Sequence, residues 1–394
     1  MPSRFARDAI ILGLLSAIGP FAIDMYLPAL PTIAADLKVS TAATQITLMA
    51  FFVTFGLSQL VYGPAADIWG RKMPLYVGLG IFILASLGCQ FSAGISQLIL
   101  FRALQGLGAA AVMVIPRAII RDLHTGVDAT RLMSLVMLVI SVSPCLAPLT
   151  GSGLIAALSW RAIFAAVAFI AVLALAMTFF ALEETRPVHQ RVASSWSAIF
   201  RAYGSLLTHG RFLSLTFMGG FAMASFFVFL ASSSFVYIDH YGLSPTQFSL
   251  AFAVNAMAFI GASQFSAPLA KRFGVAPVIS AAVNFYAAMA LLMCLVTLAG
   301  VDSLPVLMAL LFMTFGGLGL VVPASMVLAL EDHGPIAGMA SALGGTLQMV
   351  TGAMVIAAMS PFFGGSVLPM VITIFLASLC AFSLSRLTFA QRKI

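Results

Sequence analysis

Charge is what this sequence has least of. Asp, Glu, Lys and Arg make up 8% of its 394 residues, against roughly 25% in a soluble domain. Hydrophobic residues make up 62%, and mean hydropathy is +1.10. So few charges cannot cover a water-facing surface, which excludes a soluble globular enzyme. Cysteine is scarce as well: Cys89, Cys145, Cys294 and Cys380 stand singly in apolar stretches. No disulfide framework or thiolate metal spacing is present, and each reads as a small core residue. The five histidines, His124, His189, His209, His240 and His333, fall in polar segments, which argues against a metal site inside the apolar runs. Glycine-rich phosphate loops and Ser/His/Asp nucleophile settings are absent too, so no cofactor and no metal are expected.

What the chain does have is long hydrophobic runs. A helix crossing a bilayer needs about 20 apolar residues, and twelve runs qualify, near 8–34, 42–66, 73–92, 95–119, 130–157, 160–182, 212–238, 246–270, 276–299, 304–329, 337–359 and 366–387. These are spans 1 to 12 below. The expected fold class is an all-α polytopic membrane protein. Arg4 and Arg7 before the first run resemble the start of a signal peptide. The run is too long for one, however, and a charged residue follows it where a small-residue cleavage site would be needed, so it reads as a retained span.

The net charge of +7 raises the question of a polyanionic partner. With the N-terminus in the cytoplasm, sixteen of the nineteen basic residues lie at cytoplasmic ends, and only Lys38, Arg102 and Arg161 fall elsewhere. The positive-inside rule accounts for that distribution. A multi-pass protein of the bacterial inner membrane with both termini cytoplasmic is expected, with the bilayer as its partner and no nucleic acid.

The longest polar stretch, 183–211, divides the chain into bundles at 1–182 and 212–394 and reads as a cytoplasmic linker. Within it "SSWSAIFRAYGSLL" has the pattern of a short interfacial amphipathic helix. The halves echo each other. "GPAADIWGRK" (63–72) follows span 2 and "SAPLAKRFGV" (266–275) follows span 8, with Pro64, Ala66 and Gly70 matching Pro268, Ala270 and Gly274 at an offset of 204. "QGLG" (105–108) in span 4 matches "GGLG" (316–319) in span 10 at an offset of 211. Such parallel repeats predict two pseudo-symmetric six-helix bundles, the arrangement of carriers that rock around a midplane site.

Twelve acidic residues are present, and only Asp24, in "FAIDMYLPALP", lies well inside a span. Gly13, Pro20 and Pro28 interrupt the same run, which suits a segment lining a cavity. A carboxylate at mid-helix costs roughly 2.5–3.5 kcal/mol on insertion scales, so an intramembrane acid points to function. Its basic counterpart is Arg102 in "FRALQGLGAAA", at similar depth in span 4, with Gln105 one turn away. Burial favours the neutral form of an acid and a nearby guanidinium the ionised form, so a change in either can load or release a proton. A structural pair pinning spans 1 and 4 is the plainer alternative. The absence of any other mid-span carboxylate favours a proton-coupling role for Asp24 and Arg102.

Elsewhere, the 63–72 string joins glycines that permit a tight turn with Asp67 near a helix start, where negative charge is favoured, and with Arg71 and Lys72. "VSPCLAPLTGSGL" (142–154) in span 5 combines Pro144 and Pro148 with Gly151 and Gly153, residues that bend helices and let them approach closely. Phenylalanine (33) and methionine (21) are abundant, and flexible apolar walls suit promiscuous ligands. Phe51, Phe52, Met137, Phe226 and Phe227 are candidates for such a wall. Gln45, Asn255, Asn284 and Gln348 are mid-span polar groups that need partners when buried.

These strings resemble the major facilitator superfamily, and within it the Bcr/CflA-like drug:proton antiporters. "IDMYLPALP", "SQLVYGPAADIWGRK", "FRALQGLGAAA", "APLTGSGLIAALSWRAIF", "ALEETRP" and "PIAGMASALGGTLQ" carry the likeness along nearly the whole chain. The resemblance implies a twelve-helix alternating-access carrier, exporting small amphipathic compounds in exchange for protons. Asp24 matches the coupling carboxylate and Arg102 the span-4 arginine. Gly63, Asp67, Gly70, Arg71 and Lys72 match a loop that latches one face closed against the start of span 11. Pro144, Pro148 and Gly151 match the antiporter motif of span 5 in part. The chain departs from the family at Ile68, where a basic residue is usual, and at Ala147 and Ser152. Arg117 has no assigned role beyond reaching for the interface. The expected substrate-binding set is Asp24, Gln45, Phe51, Phe52, Arg102, Gln105, Met137, Phe226, Phe227, Asn255 and Gln348.

An exporter or importer of a single metabolite, such as a nucleoside or amino-acid derivative, is the rival within transport, because a fold does not fix its cargo. A membrane-embedded enzyme would need a catalytic constellation that these residues do not supply. A sensor would call for a soluble output domain, and no such polar block occurs. Nothing in the sequence requires more than a monomer.

Overall fold

The computed structural model describes residues 4–124, 126–187 and 196–390. A backbone with no water to bond to must satisfy its N–H and C=O groups internally, and an unbranched apolar run does this as a helix. The α-helices are α1 (Arg4–Asp24), α2 (Leu30–Asp36), α3 (Thr41–Ile68), α4 (Lys72–Gln90), α5 (Ile95–Leu123), α6 (Gly126–Ala157), α7 (Arg161–Ala181), α8 (Trp196–Leu207), α9 (Gly210–Ser234), α10 (Pro245–Phe273), α11 (Val275–Leu298), α12 (Leu304–Leu330), α13 (Ala337–Met359) and α14 (Val367–Ala390). No strand occurs among the described residues. Among the described residues, twelve helical stretches are long and apolar enough to cross a membrane, α1 and α2 together making the first.

Local chemistry sets several ends. Ser244 caps α10 by accepting from the Gln247 amide at 3.2 Å, while the Gln247 side chain accepts from the Ser244 amide at 2.9 Å. That reciprocal box, with Pro245 at the first helical position, is a strong start signal. Gly70 and Gly274 both turn with positive φ, 90° and 87°, a conformation that other residues resist.

The chain forms two compact units, Met1–Val39 with Ile46–Ile199, and Ser40–Gln45 with Phe200–Ile394. In the first, α1 packs on α5, α6 and α7, and α4 packs on α5 and α7. In the second, α9 packs on α12, α13 and α14, and α11 packs on α12 and α14. The pairings coincide when α1 is read as α9, α4 as α11 and α5, α6, α7 as α12, α13, α14. Gly70 and Gly274 therefore sit at matching turns of a repeated architecture.

The repeat in spans 4 and 10 needs one correction. A Cβ on Gly106 would overlap the Phe51 carbonyl of span 2, and one on Gly108 would overlap span 3 at Gly78 and Phe82. In span 10 the order reverses: Gly317 abuts Tyr286 of span 9, and Gly319 abuts the Phe259 carbonyl of span 8. Two glycines two residues apart lie on opposite sides of a helix, so either order lets it sit tightly between both neighbours. The offset of 211 matches letters but not roles.

Most spans run within a few residues of expectation, whereas span 1 is not one helix from 8 to 34. It breaks after Asp24 and resumes at Leu30 through a 3-10 turn, Leu27–Ala29. The amphipathic segment forms α8, where Ile199, Tyr203 and Leu206 make a buried stripe and Phe200 and Leu207 are exposed.

Candidate functional site

The break in α1 places the first unit's most unusual side chain. Pro20 has no N–H to give the Ser16 carbonyl, which loosens the last turn. That turn closes with the Met25 amide on the Phe21 carbonyl at 3.0 Å and the Tyr26 amide on that of Ile23 at 3.3 Å. Pro28 then directs the 3-10 turn. From α6, Gly151 lies directly on the Met25 carbonyl, and a Cβ there would overlap it. Tyr26 is fully buried, its hydroxyl 2.8 Å from Thr47 Oγ1 and its ring 5.6 Å from that of Phe164.

Asp24 is the last residue of α1 and is 6% exposed. Its Oδ2 accepts from the Ser143 hydroxyl of α6 at 3.4 Å. Arg102, on α5, is fully buried. Its Nη1 donates to the Ala22 carbonyl at 3.1 Å and to Gln105 Oε1. Gln105 donates in turn to Ser86 Oγ at 2.8 Å, and that hydroxyl to the Phe82 carbonyl at 2.7 Å. The guanidinium lies between the Tyr26 and Phe51 rings, 4.5 Å from each centroid. Desolvated cation–π contacts of this kind are worth about 2 kcal/mol each. Nε and Nη2 of Arg102 make no hydrogen bond.

The expected ion pair between Asp24 and Arg102 is therefore not formed: among the described residues no salt bridge joins them. Arg102 reaches α1 from α5 and takes a backbone carbonyl. Asp24 projects from the side of α1 that faces α6. The two lie in one neighbourhood with different partners.

At the other end of this unit, the 63–72 loop is tied down by groups that sequence reasoning had not assembled. Arg71 is 3% exposed. It donates from Nε to Asp122 Oδ2 at 2.7 Å, from Nη2 to Asp122 Oδ1 at 3.3 Å, and from Nη1 to Asp67 Oδ1 at 2.8 Å. Burial is the largest influence on its proton affinity and works to lower it, but the bonds to Asp122 and Asp67 outweigh that and hold Arg71 above the ordinary arginine range. Glu184 accepts from the Arg71 amide at 2.9 Å and the Lys72 amide at 3.1 Å, a carboxylate capping the start of α4. Lys72 Nζ donates to the Leu182 carbonyl at 2.7 Å, and Arg186 reaches Asp67 at 3.0 Å. Gly63 lies within α3. Asp122, Glu184 and Arg186 were legible only as end-of-helix charges.

The remaining candidates scatter. Phe51 and Phe52 are fully buried, Phe51 stacked on Phe55 at 5.8 Å, while Met137 is half-buried. Pro144 and Pro148 lie inside α6, and the Ser152 hydroxyl donates to the Pro148 carbonyl at 2.8 Å. In the second unit, Phe226 packs on Phe259 and Phe315 at 5.4 and 5.6 Å, and the Phe227 ring covers Gly352. Asn255 donates to the Tyr237 hydroxyl at 3.0 Å, and its Oδ1 makes no hydrogen bond. Gln348 is buried with Nε2 unbonded. Gln45 belongs to the segment grouped with the second unit and donates to the Ala231 carbonyl at 3.1 Å. Asn284 is exposed and accepts from Arg386 at 3.0 Å, which removes it from any buried wall. Arg117 is exposed on α5. An apolar cavity of about 520 Å³ opens between α9, α13 and α14, lined by Phe221, Met359, Phe362, Leu376 and Cys380 among others, and none of the expected wall residues line it. Ser143 and Tyr26 were missed, although "SVSP" and "IDMY" put a hydroxyl and a phenol at the right depth.

Comparison with known proteins bears on this arrangement. The Major Facilitator Superfamily profile matches residues 12–358. The chain is 35% identical over 363 residues to "Uncharacterized MFS-type transporter YdgK" of Bacillus subtilis, covering 90% of this chain and 88% of that one. It is 33% identical to "Multidrug resistance protein D" of Escherichia coli (89% and 87% covered) and 31% identical to the "Bicyclomycin resistance protein homolog" of Haemophilus influenzae (88% and 86%). Among solved structures, a D-xylose-proton symporter superposes with a TM-score of 0.75 over 97% of this chain and 98% of the other, at 15% identity, a likeness of fold.

Proposed function

The chain belongs to the major facilitator superfamily, and from that premise we propose that it exports small amphipathic, drug-like compounds in exchange for protons by alternating access. It is a carrier, not an enzyme, with the proton as coupling ion and no cofactor. It works as a monomer in the bacterial inner membrane. Relatives named for multidrug and bicyclomycin resistance support the cargo class. Sixteen of nineteen basic residues at one set of ends support cytoplasmic termini.

The observation that carries the reading is Asp24: a carboxylate deep within the first span, 6% exposed, at a helix break, with one hydroxyl as its polar partner among the described residues. A group in so apolar a place has two protonation states of very different solvation, which is what coupling requires. A proton arriving from outside neutralises Asp24 as the cargo leaves, and the neutral carrier returns inward. Arg102, fixed by ring stacking one neighbour away, supplies the constant positive field against which that charge change acts. Gln105 orients it. In the first unit, Phe51, Phe52 and Met137 are the apolar groups offered to the cargo, and in the second Phe226 and Phe227 are, with Gln45, Asn255 and Gln348 as the polar ones. The Asp67–Arg71–Asp122 cluster, with Gly63, Gly70 and Lys72, forms the cytoplasmic latch.

Asp24→Asn keeps shape and removes the titration. Energised inverted vesicles carrying this variant should take up no drug in response to a proton gradient, while melting in detergent stays near that of the parent. Undiminished gradient-driven uptake would overturn the assignment.

A further inference from the structure

Among the groups packed around Asp24, Ser143 has no role in any reading above. Its side chain is fully buried, and its hydroxyl is 3.4 Å from Asp24 Oδ2. It stands one residue before Pro144, on the helix whose Gly151 seats the Met25 carbonyl. The same face of α6 thus touches the α1 break twice, by side chain at the acid and by backbone one residue beyond it.

We propose that Ser143 is a positioning residue for proton coupling: its hydroxyl donates to the Asp24 carboxylate, stabilises the ionised form and holds it on α6, away from Arg102. This rests on Asp24 being the coupling acid. The other groups able to act on that carboxylate are few. On α6, Cys145 stands two residues beyond Ser143 and is half-buried, while Asp128 and Arg131 lie at the far end of the helix. On α5, Arg102 is engaged with Ala22, Gln105 and two rings. On α7, the sole charged residue is Arg161, paired with Asp36 at 2.8 Å. Tyr26, next along the chain, is bonded to Thr47. Among the described residues, Ser143 is the group that donates to Asp24. When Asp24 takes a proton its carboxyl gains a donor and keeps only a neutral acceptor, so the bond from the Ser143 hydroxyl loses its charge assistance. That weakening loosens the hold of α6, bent by Pro144 and Pro148, on the acid of α1.

The test reads Asp24 directly. Dicyclohexylcarbodiimide modifies protonated carboxyls in apolar surroundings, so the pH midpoint of Asp24 labelling, mapped by mass spectrometry in detergent-solubilised full-length protein, follows its protonation. Ser143→Ala should move the midpoint up by about one pH unit, the worth of one hydrogen bond to a charged group. Ser143→Thr should restore it. Asp24→Asn removes the label and serves as control. An unchanged midpoint in Ser143→Ala, a downward one, or equal shifts in the Ala and Thr variants would overturn the proposal. If Asp24→Asn still transports while the labelling shift is seen, the coupling assignment fails and the Ser143 contact stands.

Discussion

At the scale of single residues, glycine tests the close approaches most sharply. Gly151 and Gly153 lie two apart in α6 and look equivalent in the string "TGSG". A Cβ at Gly151 meets the Met25 backbone, whereas one at Gly153 meets nothing within 4 Å. Overpacking against backbone costs about 1–3 kcal/mol. Gly151→Val should therefore lower the melting temperature in detergent by several degrees, and Gly153→Val should leave it within a degree or so; equal effects would refute the seating of α6 on the break. Arg102 teaches a related lesson. Its partners are a carbonyl, an amide and two rings, so a buried cation can be held without a carboxylate when its charge is spread over a plane that stacks.

At the scale of elements, the start of α4 depends on a residue more than a hundred positions away. The first amides of a helix have no internal acceptor, and here Glu184 takes those of Arg71 and Lys72. Glu184→Ala removes a cap worth about 1 kcal/mol, so hydrogen exchange at the first α4 amides should quicken roughly fivefold. Exchange at the start of α11, where among the described residues no side chain caps the helix after Gly274, should not change. Span 1 illustrates the opposite case, a single hydrophobic run that folds as two helices. Its length and hydropathy were legible. The position of the break was not, because Pro20 and Pro28 permit a bend without saying which turn yields; the Gly151 contact with Met25 decides it.

At the scale of the whole molecule, twelve spans in two repeats follow from composition and period alone, and the distribution of basic residues leads us to propose cytoplasmic termini. Alkaline phosphatase fused after Ala93 or after Val301 should be active, and fused after Pro187 or at the C-terminus inactive, in whole cells. The reverse pattern would refute cytoplasmic termini. The repeat itself was legible as short strings, and the offset of 204 marks turns that share a positive φ. The offset of 211 was misleading in detail, since a helix between two neighbours needs small residues on both sides but is indifferent to their order.

The sequence by itself determined the solvent, the number of spans, the two halves and the one acid worth explaining. Those properties depend on hydropathy along a line, and a bilayer reads a chain along a line. Tertiary structure alone decided the partners: Asp24 with Ser143 instead of Arg102, Arg71 with Asp122, Gly151 against Met25. Partnership depends on the direction each side chain leaves its helix and on how near two backbones come. Both are fixed only when all the helices of a bundle pack at once, and in apolar surroundings a polar group must take whichever donor or acceptor that packing leaves within reach.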